Sequence, residues 1–163
     1  MKSKLLCLLA ALLAVAACTR DQDPGTGKNQ VITLLDNCKV SEGRGSIDDY
    51  VGAGKHTLLF FWTSWCHFCK EDAPNIVSLY ERYAPKLLVV GINDDKEESR
   101  EAAVDAIREL GFHFPQILDA SHELLQQYEV TGYPEYILVS PDGSILAKGG
   151  RAAVIETEIK KVL

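Results

Sequence analysis

Phe60-Phe61-Trp62-Thr63-Ser64-Trp65-Cys66-His67-Phe68-Cys69-Lys70-Glu71-Asp72-Ala73-Pro74 joins two different residue patterns. From Thr57 to Trp62 the chain is an unbroken run of Leu, Phe and Trp, the signature of a strand covered on both faces. From Cys66 to Tyr83 the apolar residues instead fall at helical spacing, with Ile76, Leu79 and Tyr83 on one side and Pro74 as a kink. Two cysteines separated by two residues at this strand-to-helix junction can close a small disulfide ring. The first sulfur would lie at the helix N-terminus, where the dipole and free backbone N–H groups favour its thiolate. Thiol-disulfide exchange needs a thiolate attacker, so Cys66 is the expected nucleophile and Cys69 the resolving thiol. A protonated His67 would donate to the sulfur or supply positive charge; the rival reading is a solvated residue at the helix start.

Further along, Leu87 to Ile92 reads as a second buried strand, closed by Asn93, Asp94 and Asp95. Glu97 to Leu110 is amphipathic, with Val104, Ile107 and Leu110 inward. A short run at Gln116 to Leu118 precedes a helical piece over Ser121 to Tyr128. Glu135 to Val139 and Ser144 to Lys148 form an expected hairpin around Pro141-Asp142-Gly143, and Ala152 to Leu163 closes as a helix. Parallel units ending in an antiparallel hairpin predict an α/β fold with a central mixed sheet flanked by helices.

The formal charge of −6 argues against a phosphate backbone as the main partner, so no nucleic-acid role is expected. Residues 1–17 carry a short basic start (Lys2, Lys4), an apolar stretch from Leu5 to Ala17, and small residues before Cys18, the layout of an export signal. Val15-Ala16-Ala17-Cys18 resembles the lipobox of bacterial lipoproteins, which implies cleavage before Cys18 and its lipidation. The rival is ordinary signal cleavage. The expected organisation is a lipoprotein signal peptide (1–17), a lipidated cysteine with a polar tether (18–30), and one domain (31–163). Such a protein sits in the cell envelope, lipid-anchored to a bacterial membrane and exposed outside the cytoplasm, in the periplasm. Cys7 leaves with the signal and Cys18 takes the lipid. Cys38 then stands alone beside the Cys66/Cys69 pair, as an unreactive thiol or a partner in a regulatory or intermolecular disulfide.

The quoted segment resembles the active-site region of the thioredoxin superfamily, and more narrowly of the exported TlpA and ResA-like thiol-disulfide oxidoreductases. Trp65, Cys66 and Cys69 match the redox motif, Pro74 the helix proline, and Tyr133-Pro134 within VTGYPEYILVSPDG the family's cis-proline loop and hairpin. The extra strand and helix between Gly91 and Asp119 fit the TlpA-type insertion. The resemblance implies a thioredoxin-like fold and a redox-active Cys66–Cys69 disulfide in place of any cofactor. Protein thiols and disulfides would be the substrates, and a membrane thiol reductase the electron donor. It also implies that the Pro134 loop faces the CXXC motif, offers backbone groups to a bound peptide and keeps metals from the thiols, with Trp65 and Tyr133 lining the groove. Two departures stand out. Thioredoxin's buried aspartate is replaced by Phe60, whereas the glutamate that ResA-like proteins carry after the second cysteine is matched by Asp72. Asp72 is therefore the expected acceptor of the Cys69 proton, its rival being an acid that serves only the helix dipole. His67-Phe68 replaces the common Gly-Pro and Glu-Pro, which implies a potential between about −270 mV for thioredoxin and about −120 mV for DsbA. The expected direction is reductive, as in most TlpA-like members.

Three other readings compete. A thiol peroxidase of AhpC/TSA type would use a lone cysteine after Pro-x-x-x-Thr/Ser-x-x-Cys; Thr63 fits, but the proline is absent. A zinc site would need two further ligands, and there is no second CXXC, so no metal is expected. A redox-inactive binding module is disfavoured by the presence of both cysteines, Trp65 and Pro134.

Overall fold

The computed structural model describes residues 29–35 and 39–163. The signal peptide, Cys18, most of the tether and Cys38 lie outside the described residues. The chain runs β1 (Asn29–Leu34), β2 (Val40–Gly45), β3 (His56–Trp62), α1 (His67–Tyr83), β4 (Leu87–Asn93), α2 (Arg100–Leu110), β5 (Gln116–Leu118), α3 (Glu123–Gln127), β6 (Glu135–Val139), β7 (Ile145–Gly149) and α4 (Ala152–Val162). Its seven strands form one sheet in the order β2-β1-β5-β4-β3-β6-β7. The parallel centre is β5-β4-β3, and antiparallel hairpins close both sides. This is the expected mixed sheet flanked by helices.

Strand β3 shows why the sheet is covered twice. Its side chains alternate, so Leu58, Phe60 and Trp62 enter one core with Ile76, Leu79, Phe112, Tyr136 and Ile155, while Leu59 and Phe61 enter another with Ile92, Leu124, Tyr128 and Ile137. Helices α1, α2 and α4 contribute to the first core and α3 to the second. Phe60, at thioredoxin's aspartate position, is fully buried. It stacks on Tyr136 at 5.0 Å and meets Phe112 edge-on at 5.6 Å, so an aromatic cluster fills that space. Trp62 Nε1 donates to Gln116 Oε1 at 2.9 Å, satisfying the one polar atom of a buried indole. Gln116 reaches it by lying across Gly91, where an added Cβ would stand 1.9 Å from Gln116 Oε1.

The sequence reading and the structure part at the N-terminal hairpin and at α3. Strand β1 begins at Asn29, within the expected tether, because Asn29 and Gln30 pair with Gly45 and Arg44. Backbone pairing needs no apolar side chain, so polar residues at its start left no periodic signal. Most of β2 is exposed and its sequence VSEGRG carries no strand pattern; β1 recruits it as an edge. The helical piece expected over Ser121 to Tyr128 shrinks to Glu123–Gln127, because His122 and Glu129 take left-handed backbone at φ 61° and 55°. Asp119 Oδ2 supplies the cap from outside, accepting the N–H groups of Leu124 at 2.8 Å and Leu125 at 3.1 Å. Pro74 lies inside an uninterrupted α1.

Candidate active site

The end of β3 delivers the Cys66/Cys69 pair. After Trp62 the chain turns once, with Cys66 N–H donating to the Thr63 carbonyl at 3.2 Å, and α1 starts at His67 with Cys66 as its N-cap. Cys66 and Cys69 are joined in a disulfide with their Cα atoms 5.3 Å apart. Cys66 Sγ accepts the N–H of Cys69 at 3.1 Å, occupying the place a capping oxygen takes in other helices. A thiolate released there by reduction keeps that donor and the positive helix end. Cys69 is inaccessible, while Cys66 retains slight exposure. Trp65 (69% exposed) and Phe68 (57%) flank it, two large aromatics left in solvent beside the disulfide.

His67 turns to its own helix rather than to the sulfurs. Its Nε2 lies 3.0 Å from Glu71 Oε1, one turn on, with both side chains largely exposed. Asp72 is buried, and three donors claim it: Asn75 Nδ2 on Oδ1 at 2.8 Å, with the Tyr136 hydroxyl and the Ala152 N–H on Oδ2, each at 2.8 Å. Ala152 opens α4, so Asp72 caps that helix from α1 and ties both to β6. Burial first, and the Asp72 charge second, push the Tyr136 hydroxyl well above the ordinary tyrosine range, so it remains a donor. Sequence reading placed Asp72 near the thiols but missed Tyr136 and Ala152. Their residue types carry no signal for this role, and only the packing of β6 and α4 on α1 brings them together.

The Tyr133–Pro134 peptide bond is cis. Tyr133 and Pro134 line a cavity of about 340 Å³ together with Phe68, Asp72, Glu135 and Arg151. The Tyr133 ring meets Trp65 edge-on at 5.9 Å. The structure thus brings Trp65, Cys66, Tyr133, Pro134 and Asp72 to one end of the sheet, beyond the carboxyl ends of its parallel strands, where α/β sheets hold their ligands. The Thr63 hydroxyl is buried with no hydrogen-bond partner among the described residues. Among the described residues, no three His, Cys, Asp or Glu side chains come together as a metal site, and no helix is long and apolar enough to cross a membrane.

A sequence profile of the AhpC/TSA family matches residues 32–148, well over half of the chain. The chain belongs to the AhpC/TSA family. The chain is similar to sporulation thiol-disulfide oxidoreductase A of Bacillus subtilis, 33% identical over 95 residues, which cover 56% of this chain and 57% of that protein. Thiol-disulfide oxidoreductase ResA of the same organism is 30% identical over 94 residues, covering 57% of this chain and 51% of that one. The chain thus spans about half the length of these curated relatives. Among solved structures, the thioredoxin domain of a thiol-disulfide oxidoreductase from Bacteroides vulgatus superposes with a TM-score of 0.63 at 24% identity, covering 85% of this chain and 97% of that one. The fold is thioredoxin-like, with the AhpC/TSA profile ending on β7.

Proposed function

We propose that this protein is a ResA-type thiol-disulfide oxidoreductase that uses Cys66 and Cys69 to reduce disulfides of exported proteins. The observation that carries the reading is the position of Cys66 Sγ. It is bonded to Cys69, holds the Cys69 N–H at the start of α1, and is flanked by exposed Trp65 and Phe68. In the reduced protein the Cys66 thiolate attacks one sulfur of a substrate disulfide, forming a mixed disulfide and releasing the first substrate thiolate. Cys69, losing its proton to Asp72, then attacks Cys66 Sγ. This closes the Cys66–Cys69 bond and releases the second substrate thiolate. Two electrons have passed to the substrate, and a membrane dithiol reductase returns two to the protein. His67, paired with Glu71 in the oxidised form, adds positive charge beside the thiolate when protonated. The cavity beside Pro134 and the edge of Tyr133 receive the peptide around the substrate cysteine. Export and a lipid on Cys18 complete the reading, placing the domain in the bacterial envelope outside the cytoplasm.

Relatives named for disulfide exchange favour this over peroxidase chemistry, and two cysteines already joined as a redox pair favour it over a binding module. The test is the redox equilibrium of the protein against glutathione, followed by thiol alkylation and by Trp65 fluorescence. A reversible two-electron transition that Cys66→Ser abolishes is the expected result. A protein whose Cys66–Cys69 bond resists reduction even by dithiothreitol, or that turns over peroxide faster than protein disulfides, sinks the proposal.

A further inference from the structure

At the carboxyl ends of β4 and β5 the chain buries three acids that the exchange chemistry leaves unused. Asp94 and Asp95 follow the last residue of β4 and Asp119 follows the last of β5, all three nearly or wholly inaccessible. Each of these carboxylates meets a different set of donors, although Oδ1 of Asp95 and Oδ1 of Asp119 have no hydrogen-bond partner among the described residues. Asp119 caps α3. Asp95 Oδ2 accepts the Ser64 N–H at 2.9 Å and Asn93 Nδ2 at 3.0 Å. Asp94 Oδ1 accepts from His122 Nδ1 at 2.6 Å, and its Oδ2 accepts the Tyr133 hydroxyl.

Two adjacent residues at one strand end therefore hold the two loops of the redox site. Asp95 fastens the segment entering Trp65 and Cys66, and Asp94 fastens the residue before Pro134. The Asp94 backbone is itself fixed, its N–H donating to the Trp62 carbonyl at 3.0 Å. Tyr133 keeps its proton, because burial first and the Asp94 carboxylate next push its hydroxyl above the ordinary range, with Asp119 and Asp95 adding to the effect. On the other side His122 is presented from left-handed backbone, a conformation that persists in a non-glycine residue only when its surroundings fix it. The line of contact runs from the end of β4 through the Tyr133 ring to Trp65, which borders Cys66 and stands in solvent.

We propose that Asp94 is a positioning residue for exchange with peptide disulfides: its hydrogen bond to Tyr133, braced by His122, holds the Tyr133 ring against Trp65 and sets the groove that the substrate strand enters. The inference rests on the exchange reading of Cys66 and Cys69. It assigns Asp94 no contact with substrate or sulfur. A small disulfide needs only the Cys66 thiolate, whereas a peptide must also fit between Trp65 and the Pro134 loop.

Two probes separate these demands, each turned over with a dithiol reductant that recharges the Cys66–Cys69 pair and whose direct reaction is subtracted: the bis(nitrobenzoate) disulfide, and a synthetic peptide whose single cysteine is disulfide-bonded to glutathione. Asp94→Ala and Tyr133→Phe are each expected to lower the ratio of peptide to small-disulfide kcat/KM about tenfold, the scale of one charge-assisted hydrogen bond, with the loss in KM. The double variant should lose no more than either single one. His122→Gln, which keeps an amide donor for Asp94, should stay near the parental ratio, whereas His122→Leu should lower it in the same direction as Asp94→Ala. Tyr133→Phe removes a single oxygen, so the test survives if Asp94→Ala fails to fold. The proposal is overturned if both probes slow in parallel, if the peptide KM stays at the parental value, or if the two losses multiply in the double variant. A parent protein inert toward the small disulfide sinks the exchange reading and this inference with it; an active parent with any of those three outcomes overturns the inference alone.

Discussion

Replacing Asp72 in two ways separates its structural work from its proposed chemistry. In Asp72→Ala the Tyr136 hydroxyl and the Ala152 N–H both lose their acceptor in a closed space, and Asn75 loses its partner nearer the surface. A buried donor left unpaired costs about 1–3 kcal/mol, so the two buried ones together place the loss at about 2–6 kcal/mol. For a domain of this size that lowers Tm by about 6–24 °C. In Asp72→Asn the amide oxygen can still serve Tyr136 and Ala152, while Asn75 can turn its own oxygen toward the new amide, so the expected cost is about 1 kcal/mol. An amide cannot take a proton from Cys69, and a missing general base costs about a hundredfold or more. Asp72→Asn should therefore keep its fold and lose its rate of mixed-disulfide release. The assay pairs urea unfolding with rapid-mixing kinetics of product release on the same preparations. A loss below about 1 kcal/mol in Asp72→Ala would refute the hydrogen-bond accounting. Parental release kinetics in Asp72→Asn would remove the proton-acceptor role and leave Asp72 as the clamp that joins α1, β6 and α4.

Gly91→Ala should destabilise the protein by about 2–4 kcal/mol, because the new methyl displaces a buried Gln116 that binds both Trp62 Nε1 and the Phe114 carbonyl. Chemical unfolding followed by Trp62 emission reads the loss, and unchanged stability would show that Gln116 can move at no cost. Burial, opposed by the N–H groups of Leu125 and Leu124 and reinforced by Asp94, pushes Asp119 up to about 6 from 3.8. Between those values the folded state keeps a proton that the unfolded chain releases. The associated stability is therefore complete below pH 3.8, falls as pH rises through about 6, and amounts to about 3 kcal/mol. Asp119→Asn keeps an acceptor for α3 and removes this dependence. Relative to the parent it should gain stability between pH 4.5 and 7.5 in urea midpoints, and parallel pH profiles would refute the assignment.

The sequence by itself determined the architecture wherever residue type reports burial. The unbroken run over Thr57 to Trp62, the helical spacing after Cys66 and the closing hairpin after Glu135 each carry a period that one secondary structure satisfies. Cys66, Cys69 and Pro134 were legible for a related reason, since their chemistry lies in the residue and its neighbours along the chain. Tertiary structure decided what depends on partners distant in sequence. Strand β2 exists because β1 pairs with it. Asp72 is fixed by donors from β6 and α4, and His67 turns to Glu71. Asp94 looked like an acid closing a strand until folding set it between Tyr133 and His122, 39 and 28 residues away. A carboxylate's role depends on which donors surround it, and residue order does not specify those until the sheet has brought its strand ends together.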